Sequence, residues 1–241
     1  MELGTFKSSI NKSSNNKSDI IILRIDPEKW NLNILTLSGS NQSKCMNAKE
    51  WCGKFNMVAG INAGMFDADF ATHIGFMKCG NQSNNLKVNS YKSVAAFSPR
   101  KTGLPLFRIY DIDETNIETI KKQYRCVIQN LRLIKRPGKN KWGQQNKKWS
   151  EAALGEDKSG RILFIFCKAP YSMHDFSDIL LHLPIDLVCA QHLEGGPEAQ
   201  MYVNINSTEI ELAGSYETGF NENSLNLNAL PVPNILAISP R

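Results

Sequence analysis

The sequence predicts one α+β domain: a strongly twisted, mixed β-sheet with a few helices packed on it. Three observations lead there. The runs Arg161 to Cys167 and Leu187 to Leu193 are short and almost wholly apolar, as in strands covered on both faces. Between them Phe176, Ile179, Leu180 and Leu183 recur at helical spacing. The chain has 241 residues, 41% of them hydrophobic, and neither an internal repeat nor a clean linker divides it.

Each element can be justified in order. Residues 7–18 are polar and low in complexity, so residues 1–18 read as a polar N-terminal segment and 19–241 as the domain. Ile20–Ile25 and Leu32–Leu37 read as strands with a turn at Asp26-Pro27. Asn47 caps a short helix reaching Phe55. Met57–Asn62, His73–Met77, Val94–Ser98, Leu106–Ile109 and Tyr124–Ile128 are further strands, with a helical turn over Glu114–Lys122. Residues 135–149 read as a long basic loop. Ser172 and Asp175 have capping-box spacing before the main helix, which Pro184 closes. Strand, helix and strand between 161 and 193 suggest a crossover. Ile235–Ile238 is the closing strand.

Charge is unevenly distributed. Residues 121–148 carry ten of the 28 Lys and Arg and no acid, so 18 basic residues face all 23 acidic ones elsewhere. A local basic segment on a mildly acidic protein points to an anionic ligand and away from bulk nucleic-acid binding. No stretch is long and apolar enough to span a bilayer. Met1-Glu2-Leu3-Gly4 is not a signal peptide, which leaves a cytosolic protein or an exported one (periplasmic or cell-surface) whose leader was removed. The six cysteines show no C-x-x-C spacing, so no structural zinc is expected. Cys167 and Cys189 read as buried thiols, and Cys45 and Cys52 are near enough to pair in an oxidising compartment.

Candidate site residues gather where apolar runs end in glycine. Leu187–Leu193 stops at Glu194-Gly195-Gly196-Pro197-Glu198, placing two carboxylates at the mouth of a strand. Asn62 precedes Gly64, Gln129 and Asn130 precede Arg132, and Glu151 precedes Gly155. His73 lies near the Asn62 segment, and Glu217 sits in a glycine-bounded loop. Amides and carboxylates bind hydroxyls, and arginine forks onto phosphate oxygens, so a converged set would suit a phosphorylated sugar. Two carboxylates would provide acid and base, or nucleophile and acid, for glycosidic cleavage. Such a cluster also suits a divalent cation such as calcium, though nothing demands one. Trp149 would anchor the basic loop or stack on a sugar. His192 reads more simply as a hydrogen-bonded core residue.

Three segments in sequence order carry a resemblance: Gly-Ile-Asn62-Ala-Gly-Met-Phe66, Ala-Ala-Leu-Gly155 with Arg161-Ile-Leu-Phe, and Leu193-Glu-Gly-Gly-Pro-Glu-Ala199 with Met201-Tyr-Val203. Together they resemble the phosphodiester glycosidase family over roughly residues 19–239. The chain looks like a bacterial branch in which Glu151 stands in place of an arginine and Glu194 in place of an aspartate one methylene shorter. The resemblance implies hydrolysis of a glycosyl phosphodiester, or of a related linkage in a surface polysaccharide. Glu194, Glu151, Glu198 and Asn62 would be catalytic; Gln129, Arg132, Asn130, His73, Gly195, Gly196 and Glu217 would bind substrate. Two other readings stay open: a non-catalytic carbohydrate- or cell-wall-binding protein, and a phosphodiesterase cutting P–O.

Overall fold

The computed structural model describes residues 1–7, 19–40, 42–223 and 225–241. Its strands are β1 (Glu2–Lys7), β2 (Asp19–Ile25), β3 (Trp30–Thr36), β4 (Ala59–Asn62), β5 (Met77–Cys79), β6 (Gln82–Asn85), β7 (Ser93–Pro99), β8 (Phe107–Asp111), β9 (Tyr124–Lys135), β10 (Lys139–Asn140), β11 (Trp149–Asp157), β12 (Ile162–Tyr171), β13 (Leu187–Gly195), β14 (Gln200–Ile205), β15 (Thr208–Ala213) and β16 (Asn234–Pro240). The helices are α1 (Ala48–Phe55), α2 (Ile117–Gln123) and α3 (Met173–His182).

These strands form two sheets. The larger follows the order β1-β2-β12-β11-β13-β9-β5-β6, with β10 and the β7–β8 pair also joined through β9. The smaller runs β15-β14-β4-β16-β3. Every described pairing is antiparallel. The α+β expectation stands, but the sheet is not mixed. Strands β12 and β13 do run in the same direction across α3, yet β11 lies between them and pairs with both.

Packing explains the unbroken apolar runs. On β12, Ile162, Phe164 and Phe166 face the space between the sheets, where Ile61, Met201, Val203 and Leu236 of the smaller sheet meet them. The alternate residues Leu163, Ile165 and Cys167 pack under Phe176, Ile179 and Leu180 of α3. A strand apolar on both faces therefore has a core on each side. Helix α3 starts at Ser172, whose hydroxyl accepts from the Asp175 N–H at 3.0 Å. Helix α1 has a full capping box between Asn47 and Glu50, and its Trp51 and Cys52 cover the outer face of the smaller sheet beside Ile235 and Ala237.

Several boundaries differ from expectation. Glu2–Lys7 pairs with β2 along its whole length; the rest of the polar N-terminal segment, residues 8–18, lies outside the described residues. Tyr124 begins a twelve-residue strand, so Gln129, Asn130 and Arg132 lie within β9 and not at its end. The register Ser93 to Asn130 and Gln191 to Arg132 holds these polar residues in the ladder. His73 lies in an isolated bridge with Phe66, ahead of β5. The basic loop is shorter than expected. β10 folds back on β9, the Trp142 indole N–H donates to Arg132 O at 3.0 Å, and Asn140 Nδ2 donates to His174 O at 3.0 Å. The expected cysteine pairing is corrected too: Cys79 and Cys126, opposite each other on β5 and β9, form the disulfide, while Cys45, Cys52, Cys167 and Cys189 are free thiols.

Candidate active site

The carboxylates gather where β11 begins and β13 ends, beside the first turn after β13. Ala153 stands opposite His192 and Ala152 opposite Glu194, so Leu193 is an extra residue in the ladder. Such a bulge re-aims the side chains around it. Leu193 is buried in the core between the sheets, which fixes the offset. The Trp149 indole N–H donates to Glu151 Oε2 at 2.7 Å, and His192 Nδ1 bonds Glu151 Oε1 at 2.5 Å. Glu151 and His192 are 3% and 4% exposed, so this ion pair is almost dry. The Trp149 and His192 rings meet edge-on at 6.0 Å between centroids.

Glycine is needed at the turn. A Cβ on Gly195 would lie 2.6 Å from the Trp149 ring, and one on Gly196, at φ 67°, 2.6 Å from Glu217 Oε2. The two glycines therefore let the backbone pass between Trp149 and Glu217. Asn62, at the end of β4, pins the far side of the turn. Its Nδ2 donates to Glu198 O at 2.9 Å and its Oδ1 accepts from Gln200 N at 2.7 Å. The Asn62 side chain thus positions the segment that carries Glu198.

Electrostatics separates the members of the cluster. Burial pushes the Glu194 carboxyl up to about 8, with Glu198 and Glu151 adding to the rise against the opposing pull of His192 and the Gly195 N–H. Glu194 therefore carries a proton at neutral pH. Glu198 is also raised, by burial and then by Glu217. Burial would lower His192, but the charge and the hydrogen bond of Glu151 lead the opposing pull and raise the imidazole above its usual value. Tyr91 is raised by burial and by Glu194, which places its phenol within electrostatic reach of that carboxyl. No local pattern in the polar stretch around Tyr91 signals this; only the β7–β9 pairing brings it there.

The amide row on β9 is differently engaged. Gln129 Nε2 donates to Asn89 O at 3.0 Å and Tyr91 O at 2.7 Å, while its Oε1 accepts from Phe76 N at 3.3 Å and Asn89 N at 3.1 Å. Asn130 Nδ2 donates to Ala63 O at 3.0 Å. A Cβ on Gly64 would come within 2.2 Å of Asn130 Oδ1, so the Asn62–Phe66 segment packs directly on β9. His73 Nε2–H donates to Gln129 O at 2.9 Å, and burial lowers its pKa to about 4, so this imidazole is neutral. Arg132 Nη1, on the guanidinium expected to clamp a phosphate, donates to Asp111 at 2.6 Å and to Asp113 at 3.0 Å.

A sequence profile described as phosphodiester glycosidase matches residues 55–239. The chain belongs to the phosphodiester glycosidase family. A search of curated proteins finds no match. Among solved structures, the catalytic domain of zebrafish N-acetylglucosamine-1-phosphodiester alpha-N-acetylglucosaminidase, auto-inhibited by its pro-peptide, superposes with a TM-score of 0.68 and 12% identity, over 100% of this chain and 82% of that one. A Synechocystis protein gives 0.58 and 13%, over 92% of this chain and 59% of that one. A Burkholderia pseudomallei protein described as exported gives 0.50 and 11%, over 92% and 74%. At these identities the likeness is one of fold. All three segments that carry the resemblance in sequence fall within the matched residues.

The described carboxylates share this end of the sheet without forming a metal-type cluster. Among the described residues no three His, Cys, Asp or Glu side chains stand close enough to hold a metal ion. Glu151 already has both oxygens engaged. No helix among the described residues is long and apolar enough to cross a membrane.

Proposed function

We propose that this protein hydrolyses the glycosyl bond of a sugar-1-phosphate diester, or of a related linkage in a surface glycan. The observation that carries the reading is Glu194: a carboxyl pushed up to about 8, beside a second raised carboxyl, Glu198, in a phosphodiester glycosidase fold. An acid that keeps its proton at neutral pH suits general acid catalysis. Glu194 gives its proton to the bridging oxygen as the C1–O bond breaks. Glu198, as carboxylate, attacks C1 or takes a proton from the attacking water. The products are a reducing sugar and a phosphomonoester. Glu151, Asn62, Gly195 and Gly196 set the geometry of these groups; Gln129, Asn130 and His73 hold the neighbouring wall.

The Cys79–Cys126 disulfide supports an oxidising compartment, and an exported structural neighbour supports the same location. The partner is a phosphorylated sugar or glycan and not nucleic acid.

The test is hydrolysis of a sugar-1-phosphate diester in ¹⁸O-labelled water. Wild type should release reducing sugar with the label in the sugar. Label in the phosphate would mean P–O cleavage and overturn the reading. Tight oligosaccharide binding without turnover would favour a carbohydrate-binding protein instead.

A further inference from the structure

Several cations around β9 are paired with acids. Arg132 is held by Asp111 and Asp113, Lys92 by Asp113, and Lys135 by Glu114. Arg136 and Arg108 both pair with buried Glu156. His192 differs in place and in wiring. It lies inside the carboxylate cluster, with Nδ1 bonded to Glu151 Oε1, and among the described residues its Nε2 takes no hydrogen bond. Glu151 is in turn locked by the Trp149 indole. An imidazole gripped at one nitrogen by a buried carboxylate has its ring orientation fixed and its other nitrogen left for a partner.

We propose that His192, gripped through Nδ1 by Glu151, recognises the phosphate of the substrate, Nε2–H donating to a non-bridging phosphate oxygen, and that Glu151 is a positioning residue for it. The proposal rests on reading the substrate as a glycosyl phosphodiester. It divides the labour: Glu194 protonates the bridging oxygen, and His192 reads the charge next to it. The groups that bear on His192 are Glu151 from β11, Glu194 from its own strand and Glu217 from the loop after β15. Glu151, through its charge and its hydrogen bond, leads the pull toward the imidazolium, Glu217 adds to it, and Glu194 adds to it only once ionised, so the donor persists to a higher pH than an ordinary histidine would allow. A protonated Glu194 also leaves one fewer negative charge beside an incoming phosphate.

The experiment is binding of N-acetylglucosamine 1-phosphate and of uncharged N-acetylglucosamine by calorimetry, with ¹⁵N-histidine NMR of the same samples. In wild type the sugar phosphate should move the His192 Nε2 resonance, and its affinity should fall as pH rises through the His192 ionisation. His192→Asn can keep a donor to Glu151 where Nδ1 was while removing Nε2. It should weaken the sugar phosphate by about tenfold or more and leave the uncharged sugar unchanged. Glu151→Gln keeps the imidazole but removes the charge that raises it, so the pH at which affinity falls should move down. Equal affinity of wild type and His192→Asn for the sugar phosphate overturns the proposal alone. So does an unmoved pH dependence in Glu151→Gln. If wild type binds neither probe, the phosphodiester reading fails and the proposal with it.

Discussion

Two polar regions meet at this end of the sheet, and they behave in opposite ways. On β9, Gln129 and Asn130 have their amide donors bound to the protein itself, and Arg132 gives Nη1 to Asp111 and Asp113. At the ends of β11 and β13, burial leaves Glu194 with a proton it would lose in water, and the turn leaves Glu198 half-buried beside it. The difference is one of satisfaction. A buried amide with every bond made stabilises a frame. A carboxyl driven away from its ordinary ionisation is available for chemistry.

The largest expected effect separates the two regions by activity. Glu194→Gln should reduce kcat on a sugar-1-phosphate diester by about 10²- to 10⁴-fold while the protein stays folded, because it keeps the shape and removes the transferable proton. Steady-state kinetics with a thermal melt checks both halves. Gln129→Ala should show the reverse. It leaves backbone groups of Phe76, Asn89 and Tyr91 without partners in a largely buried place, at about 2–4 kcal/mol of stability, while molecules that remain folded retain their chemistry. Urea unfolding measures the first, and activity normalised to folded protein the second. If Gln129→Ala removed activity without loss of stability, β9 would belong to the chemistry.

A third expectation concerns pH. Glu194 is raised from 4.5 to about 8, so the folded state holds a proton that the unfolded chain has released. Its contribution to stability is complete below about 4.5 and is lost as pH rises through about 8. Compared across that window, wild type should lose melting temperature as pH rises, and Glu194→Gln should lose less. The smallest effect is expected from Trp149→Phe. It removes one hydrogen bond to buried Glu151, worth about 1.5–3 kcal/mol, and loosens the His192 pair without touching Glu194.

Much of this arrangement is legible in the sequence. The unbroken apolar run on β12, the Ser172 cap and the glycines at 195 and 196 each follow from local chemistry. The placing of Glu194 at the mouth of a buried strand does too. What is not legible is register. The Glu151–His192 pair depends on a bulge at Leu193 and on which residue of β11 stands opposite, and neither is written in either strand alone. His192 looks like a core residue in its own run because its partner is 41 residues away. Arg132 looks free for the same reason, since Asp111 and Asp113 reach it from another part of the chain. The cross-strand Cys79–Cys126 pair is likewise a matter of strand pairing rather than spacing.

The central claim is that Glu194 keeps its proton at neutral pH. ¹³C NMR titration of the glutamate side-chain carboxyls, with Glu194→Gln to assign the resonance, tests it without reference to any substrate. The account predicts a midpoint near about 8 for the resonance that disappears in Glu194→Gln. A midpoint near the ordinary 4.5 would contradict it.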